Sequence, residues 1–397
     1  MKIGIAGPIA SGLFSDYVDE QYKPIMERLD NAVAPAVTTL ALELLNLGHE
    51  LVIFTKDSRL ETVEVLKGEK ITIYVAPRNS KLSFIKHPFL STYVSIKNIF
   101  KMHNGHLDVL SVHWTRDYAM AATYYQKKGV PVYVTIRDII PYILKQQRGL
   151  EKLSWYIIYL KNEWVLRRKK FNFIANSEYT SRMVAKYWGK TVPVIPNPVS
   201  DVFLDLSSQN RSDKAFTIIS ISVASPLDTR KNILSLLRAF KNLYAKFPDM
   251  NLKLVGGKFT LDNPEVQKIR EEGLLNGVEL CGRLSHPKTI ELLQISNLMV
   301  HPSLEETFGN TLVEAMAVGC PILGGIHSGA VPDVLDNGNA GYLCDVTDVD
   351  DIMKNIEYIY LNRMEVESKA TYAKSYCRKK YSSKQVANQY LKLFTKD

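Results

Sequence analysis

Short β-branched runs alternate with helix-length amphipathic segments along the chain. The first series predicts strands over 2–6, 50–55, 71–75, 109–113, 132–136, 173–175 and 192–195. A second series begins after Asp213, with strands expected over 217–223, 252–255, 278–280, 298–301 and 321–323. Strand and helix in alternation read as parallel sheet joined by crossover helices. Two consecutive series therefore predict two doubly wound α/β domains. The polar, Ser- and Asp-rich stretch 201–214 reads as the linker between them.

Composition narrows the class without naming a reaction. The 397 residues are 46% hydrophobic and 23% charged, with 21 Gly and 17 Pro, which supports sizeable cores and excludes disordered or collagen-like chains. Cys281, Cys320, Cys344 and Cys377 lie far apart, with no CxxC pair and no histidine at ligand spacing. Neither a zinc site nor a disulfide framework is expected, and a reducing compartment is the simplest inference. The opening MKIGIAG is too short an apolar stretch for a signal-peptide core, and no run approaches about 18 apolar residues, so a soluble or peripheral protein is expected. The net charge of +9 is lopsided. Residues 1–200 carry 27 basic and 17 acidic side chains, whereas 201–397 carry 23 and 24. Such asymmetry points to an anionic surface or ligand meeting one half only.

Two loops carry candidate chemistry. Gly7-Pro8-Ile9-Ala10-Ser11-Gly12 has the Gly-x4-Gly spacing of a phosphate loop, but Leu13-Phe14 stand where Lys-Ser/Thr belongs. An ATPase reading fails. The loop is not GxGxxG, and no helix start is expected directly after it. It is either a plain turn or, since strand ends in open α/β sheets face the ligand crevice, a donor contact through Gly12. The denser signal is HPSLEETFGNTLVEAMAVGCPILGGIHSGAVPD, 301–333. A strand ends in Pro302-Ser303, and the polar loop 305–310 leads to a helix over 311–318, closed by Gly319 in the left-handed region with Pro321 beyond. Glu306 sits in the loop and Glu314 one turn into the helix. A ligand there meets the backbone amides of 307–310 and the positive end of the helix dipole, while Glu314 accepts from hydroxyls. That chemistry suits a phosphorylated polyol.

Glu306 and Glu314, with seven residues between them enclosing Phe308-Gly309, resemble the Glu-x7-Glu motif of family-4 retaining glycosyltransferases of the GT-B fold. Val194-Ile195-Pro196-Asn197-Pro198 resembles the close of that family's N-terminal domain. Leu254-Val255-Gly256-Gly257 resembles a later strand end, and Val278 to Arg283 the strand and loop beside the base pocket. Gly329-Ala330-Val331-Pro332-Asp333 resembles the family's Gly-Gly-x-Pro-Glu, with Asp333 replacing Glu. The resemblance implies two Rossmann-like domains facing an interdomain cleft: 1–199 binding the acceptor and 200–377 the UDP- or GDP-sugar donor. A terminal helix at about 378–397 would cross back to the first domain.

Residue by residue, the resemblance implies that Glu314 binds the donor ribose and Glu306 lies near the transferred sugar. The loop and helix start from Thr307, Phe308, Gly309 and Asn310 to Thr311 would orient sugar hydroxyls, and Arg283 is a candidate beside the base. Lys231, in Asp228-Thr229-Arg230-Lys231-Asn232, matches the lysine that holds the donor diphosphate; Pro226 stands where a second base is usual, and Arg230 is its candidate substitute. On the acceptor side stand His113, Arg137 and Asp138. Thr135-Ile136-Arg137-Asp138 resembles a segment that usually reads Thr-x-His-Asp, so Arg137 occupies the histidine position. His113 is either an acceptor-side group or a structural histidine, and Asp138 either contacts acceptor hydroxyls or caps a turn. No cofactor and no metal are expected: Asp348-Val349-Asp350 precedes a helical pattern over 352–360 and reads as an N-terminal cap.

Within 51–200 the balance is 24 basic to 10 acidic. Residues 81–101 interleave Lys81, Lys86, Lys97 and Lys101 with Phe84, Phe89, Tyr93 and Phe100. Residues 155–170 place Trp155, Tyr156, Ile158, Tyr159, Trp164 and Leu166 before Arg167-Arg168-Lys169-Lys170. Such segments suit an anionic bilayer surface or form core helices with basic ends. No nucleic-acid recognition motif accompanies them. The reading that results is a retaining, metal-independent hexosyltransferase in cell-surface polysaccharide synthesis. It would act on a glycan or lipid-linked acceptor at the cytoplasmic face of the cell membrane. A sugar-nucleotide epimerase of the same fold and a non-catalytic membrane-binding module are the alternatives.

Overall fold

The computed structural model describes residues 1–29, 34–77, 90–147, 149–168, 171–206 and 215–395. The chain divides into two compact units, Met1–Pro198 with Val386–Asp397, and Val199–Gln385. In the first, β1 (Lys2–Ala6), β2 (Glu50–Lys56), β3 (Glu64–Lys67), β4 (Ile71–Ala76), β5 (Val109–His113), β6 (Val132–Ile136) and β7 (Asn172–Ala175) form one sheet in the order β3-β4-β2-β1-β5-β6-β7. Only β3 runs antiparallel to its neighbour. In the second, β8 (Phe216–Ile221), β9 (Met250–Val255), β10 (Val278–Gly282), β11 (Leu298–His301), β12 (Ile322–Gly325) and β13 (Tyr342–Cys344) form a parallel sheet in the order β10-β9-β8-β11-β12-β13.

Burial on both faces explains why these strands are apolar throughout. Ile3 pairs with Leu51 on one side and Val109 on the other. Ile3, Ile5, Leu51, Ile53 and Ile73 fill one core, while their neighbours Val52, Phe54, Leu110 and Val112 fill the other. Helices must cover both faces of such a sheet, which makes it doubly wound.

The structure corrects the sequence reading in several places. Residues 192–195 do not form a strand. Pro193 and Pro196 remove ladder donors, so the segment makes only a bridge between Ala175 and Val194. 3-10 turns spanning Ser11–Tyr17, kinked at buried Phe14, begin within the first glycine loop itself. The stretch read as a linker begins with a short helix, Asp201–Asp205, and its remainder, 207–214, lies outside the described residues. The chain returns to the first unit at Val386, later than about 378, because the long helix Arg363–Tyr381 packs on the second unit: Cys377 Sγ lies 3.4 Å from the Val313 carbonyl. After Ser382 the helix Ser383–Phe394 buries Val386, Ala387, Tyr390 and Phe394 in the first core, where Tyr133 Oη donates to the Leu393 carbonyl at 3.1 Å.

Candidate functional site

In the second unit the loop after β11 and the loop after β8 are stitched together. Leu304 N donates to the Arg230 carbonyl at 2.8 Å, and Ala330 N to the Glu306 carbonyl at 2.8 Å. Asn232 adopts the left-handed conformation, φ 54°, which asparagine tolerates better than most residues. Its Nδ2 donates to the carbonyls of Pro302 (3.2 Å) and Val346 (2.7 Å), and its Oδ1 accepts from Ser235 Oγ (2.7 Å). The preceding residue, Lys231, donates its backbone N–H to Asp228 Oδ1 at 2.9 Å.

So held, Lys231 Nζ pairs with Glu306 Oε1, both side chains being nearly buried. His301 Nε2 lies 3.3 Å from the same oxygen. On the other side of the ring, His301 Nδ1 lies 3.5 Å from Thr311 Oγ1. Burial alone would raise the Glu306 carboxyl pKa, but the Lys231 ammonium and His301 outweigh it and hold it well below the ordinary range. Glu306 is therefore a fixed negative charge.

The helix Asn310–Ala317 begins at Gly309, whose φ of 86° favours glycine; a Cβ there would also come within 2.8 Å of Leu312 Cδ1. Phe308 is buried and meets the Tyr381 ring edge-on at 5.6 Å, so its side chain anchors the loop. Glu314, 7% exposed, accepts from His286 Nε2 at 3.0 Å. Arg283 is exposed at the end of β10, beside Gly257. Asp348 caps the helix Val349–Leu361 by accepting from Asp350 N at 2.9 Å.

Gly12, His113, Arg137 and Asp138 belong to the first unit. His113 ends β5 fully buried, and its Nδ1 accepts from Arg137 Nη2 at 3.0 Å. Burial and the Arg137 charge push its pKa well below the usual value, so it is neutral. Arg137 also donates to Asn197 Oδ1 and lies 5.5 Å from the Trp114 ring centroid. Asp138 accepts from Arg116 Nη2 at 3.4 Å. Trp114 holds φ 74°, unusual for a bulky residue. His301, His286, Asn232 and Trp114 were not singled out as site residues from the sequence.

Of the two basic aromatic segments, 78–89 and 169–170 lie outside the described residues, so Lys81, Phe84, Lys86, Phe89, Lys169 and Lys170 are not placed. The helix Gly149–Leu166 exposes Leu153 (62%), Tyr156, Leu160 and Trp164, which at 3.6 residues per turn fall within about 80° of one another. Of the residues named in the two segments, Leu166 and the aromatic Phe100 are buried. Arg168 stacks its guanidinium 3.8 Å from the Trp164 ring centroid. Among the described residues no helix is long and apolar enough to cross a membrane.

Two doubly wound sheets, parallel except for β3, with the Lys231–Glu306 pair and Glu314 in the second unit, have the architecture of the GT-B fold. Residues 33–202 match the family described as Glycosyltransferase Family 4, and 206–379 that described as Glycosyl transferases group 1. The chain belongs to the family-4 GT-B glycosyltransferases. It is 34% identical over 122 residues to the N-acetyl-alpha-D-glucosaminyl L-malate synthase of Bacillus anthracis, a stretch covering 30% of each chain. Matches of this kind span about a third of the relatives' length. Identity to the alpha-monoglucosyldiacylglycerol synthase of Acholeplasma laidlawii is 23% over 345 residues, 79% of each chain. The sucrose-phosphate synthase of Thermosynechococcus elongatus shares the fold, with a TM-score of 0.73 at 16% identity over 99% of this chain and 98% of that one.

Proposed function

We propose that the protein is a retaining, metal-independent glycosyltransferase that moves a sugar from a UDP- or GDP-sugar to a glycan or lipid-linked acceptor, in cell-surface polysaccharide synthesis at the inner face of the membrane. The observation that carries this reading is the Lys231–Glu306 pair at the loop leading into the helix of Glu314. A donor brings a diphosphate that Lys231 can pair with and a ribose whose hydroxyls Glu314 can accept from. As the bond from the anomeric carbon to phosphate oxygen breaks, charge grows on the diphosphate. Lys231, Arg230 and the helix amides stabilise it. The acceptor oxygen bonds to the same face of the sugar, and its proton passes to the departing phosphate. Glu306, ionised and nearly buried, stabilises the positive charge developing on the sugar ring.

The lipid side of the reading rests on the exposed stripe of the helix Gly149–Leu166, flanked by Arg167 and Arg168, in the half of the chain that carries the basic surplus. Aromatic and aliphatic side chains beside arginines suit an anionic bilayer surface. The test of the whole reading is incubation with a panel of UDP- and GDP-sugars and a total glycolipid extract, followed by proton NMR. Release of UDP or GDP with a glycoside of retained anomeric configuration is expected. An inverted product overturns the mechanism, and donor isomerisation without acceptor makes the protein an epimerase.

A further inference from the structure

His286 belongs to none of the motifs above, yet it is the hydrogen-bond partner of Glu314. It opens the helix His286–Ile295 behind the cap Ser285, and its Nε2 stands 3.0 Å from Glu314 Oε1. Facing an acceptor-only carboxylate, Nε2 must carry the proton and donate. The hydrogen bond to Glu314 outweighs burial and raises the His286 pKa.

The imidazole is itself held. Phe203 meets it edge-on, with ring centroids 5.2 Å apart and planes at 78°. Phe203 lies on the helix Asp201–Asp205, just after the chain enters the second unit, and this entry is clasped to the exit. Val199 N donates to the Tyr381 carbonyl at 2.8 Å, and Ser383 N to Asp201 Oδ1 at 3.0 Å. A side chain gripped on its ring and aimed at one carboxylate oxygen sets the rotation of that carboxylate. Of the lone-pair sites on Glu314, His286 takes one on Oε1 and leaves the rest for a ligand with two adjacent hydroxyls.

We propose that His286 is a positioning residue for the donor ribose: by donating to Glu314 Oε1 it orients the carboxylate toward the vicinal hydroxyls of a nucleoside diphosphate. The proposal rests on reading Glu314 as the ribose contact. Its geometry predicts an effect confined to ribose-bearing ligands.

The test is calorimetric titration of the full chain with UDP and GDP and with their 2′,3′-dideoxy analogues. Wild-type protein should favour the ribonucleotide. His286→Leu should weaken it about fivefold, the worth of one orienting hydrogen bond, while leaving the dideoxy analogue unchanged. His286→Gln, whose amide nitrogen reaches the place of Nε2, should restore most of the loss. Equal weakening of both ligands assigns His286 a merely structural role and overturns the proposal, as does no weakening of either. If Glu314→Ala abolishes the ribose preference while His286→Leu keeps it, only the proposal fails. If Glu314→Ala keeps that preference, or the wild-type protein binds neither nucleotide, the reading of Glu314 fails and the proposal with it.

Discussion

Replacing Lys231 by Met removes the cation that neutralises Glu306 while keeping most of the side chain's length. Lys231 is 14% exposed and Glu306 13%, so water screens little of their attraction. Unit charges about 4 Å apart at an effective dielectric of about 20 attract with about 4 kcal/mol, and breaking a buried pair on one side costs about 3–5 kcal/mol. His301, 3.3 Å from Glu306, retains part of the stabilisation. We expect a loss of about 3 kcal/mol near neutral pH, roughly 6–12 °C in the melting of a unit this size. The pH dependence carries the sharper signature. In the wild type the Glu306 pKa is depressed, so its contribution is present above the ordinary glutamate value of about 4.3 and is lost only as pH falls below that value. Without Lys231, burial would raise the carboxyl pKa, and the variant should regain stability as pH falls from about 8 to about 5. Glu306→Gln added to Lys231→Met removes the orphaned charge, recovers most of the loss and abolishes that trend. Scanning calorimetry of the three proteins across this range is the assay. A Lys231→Met protein that melts like the wild type, with no pH trend, refutes the buried pair.

Other outcomes follow from single contacts. Gly309→Ala should cost about 1–3 kcal/mol, given φ 86° and the close approach of Leu312, and denaturant titration reads it directly. Asn232→Ala loses two hydrogen bonds to carbonyls and a residue suited to φ 54°. It should weaken UDP or GDP binding several-fold by loosening Lys231, which calorimetry checks. Leu153→Glu with Leu160→Glu should reduce sedimentation with phosphatidylglycerol vesicles by about tenfold, at about 1 kcal/mol or more of lost burial per leucine. Unchanged sedimentation would remove the membrane role from the helix Gly149–Leu166.

The sequence foretold what local pattern determines. β1, β2, β5 and β6 are apolar because both sheet faces are covered, and that continuity is visible without coordinates. β3 buries only Leu66 and β13 has three residues, so neither leaves a readable run. In the segment 192–195 the apolar signal was real, but Pro193 and Pro196 override it. Glu306 and Glu314 stood out by spacing, whereas His286 and Asn232 act through partners 28 and more residues away. Helical period showed that 155–170 is amphipathic; only packing shows that Leu166 turns inward while Leu153 and Leu160 stay in solvent.

Whether the second unit holds a nucleoside diphosphate through Lys231 and Glu314 is decided most directly by equilibrium titration of the wild-type chain, Lys231→Met and Glu314→Ala with UDP and GDP. One of the two nucleotides should bind the wild type at a single site, and each substitution should weaken it by about tenfold or more, the loss of one charge-assisted contact. Failure of both nucleotides to bind, or variants that bind like the wild type, would contradict it.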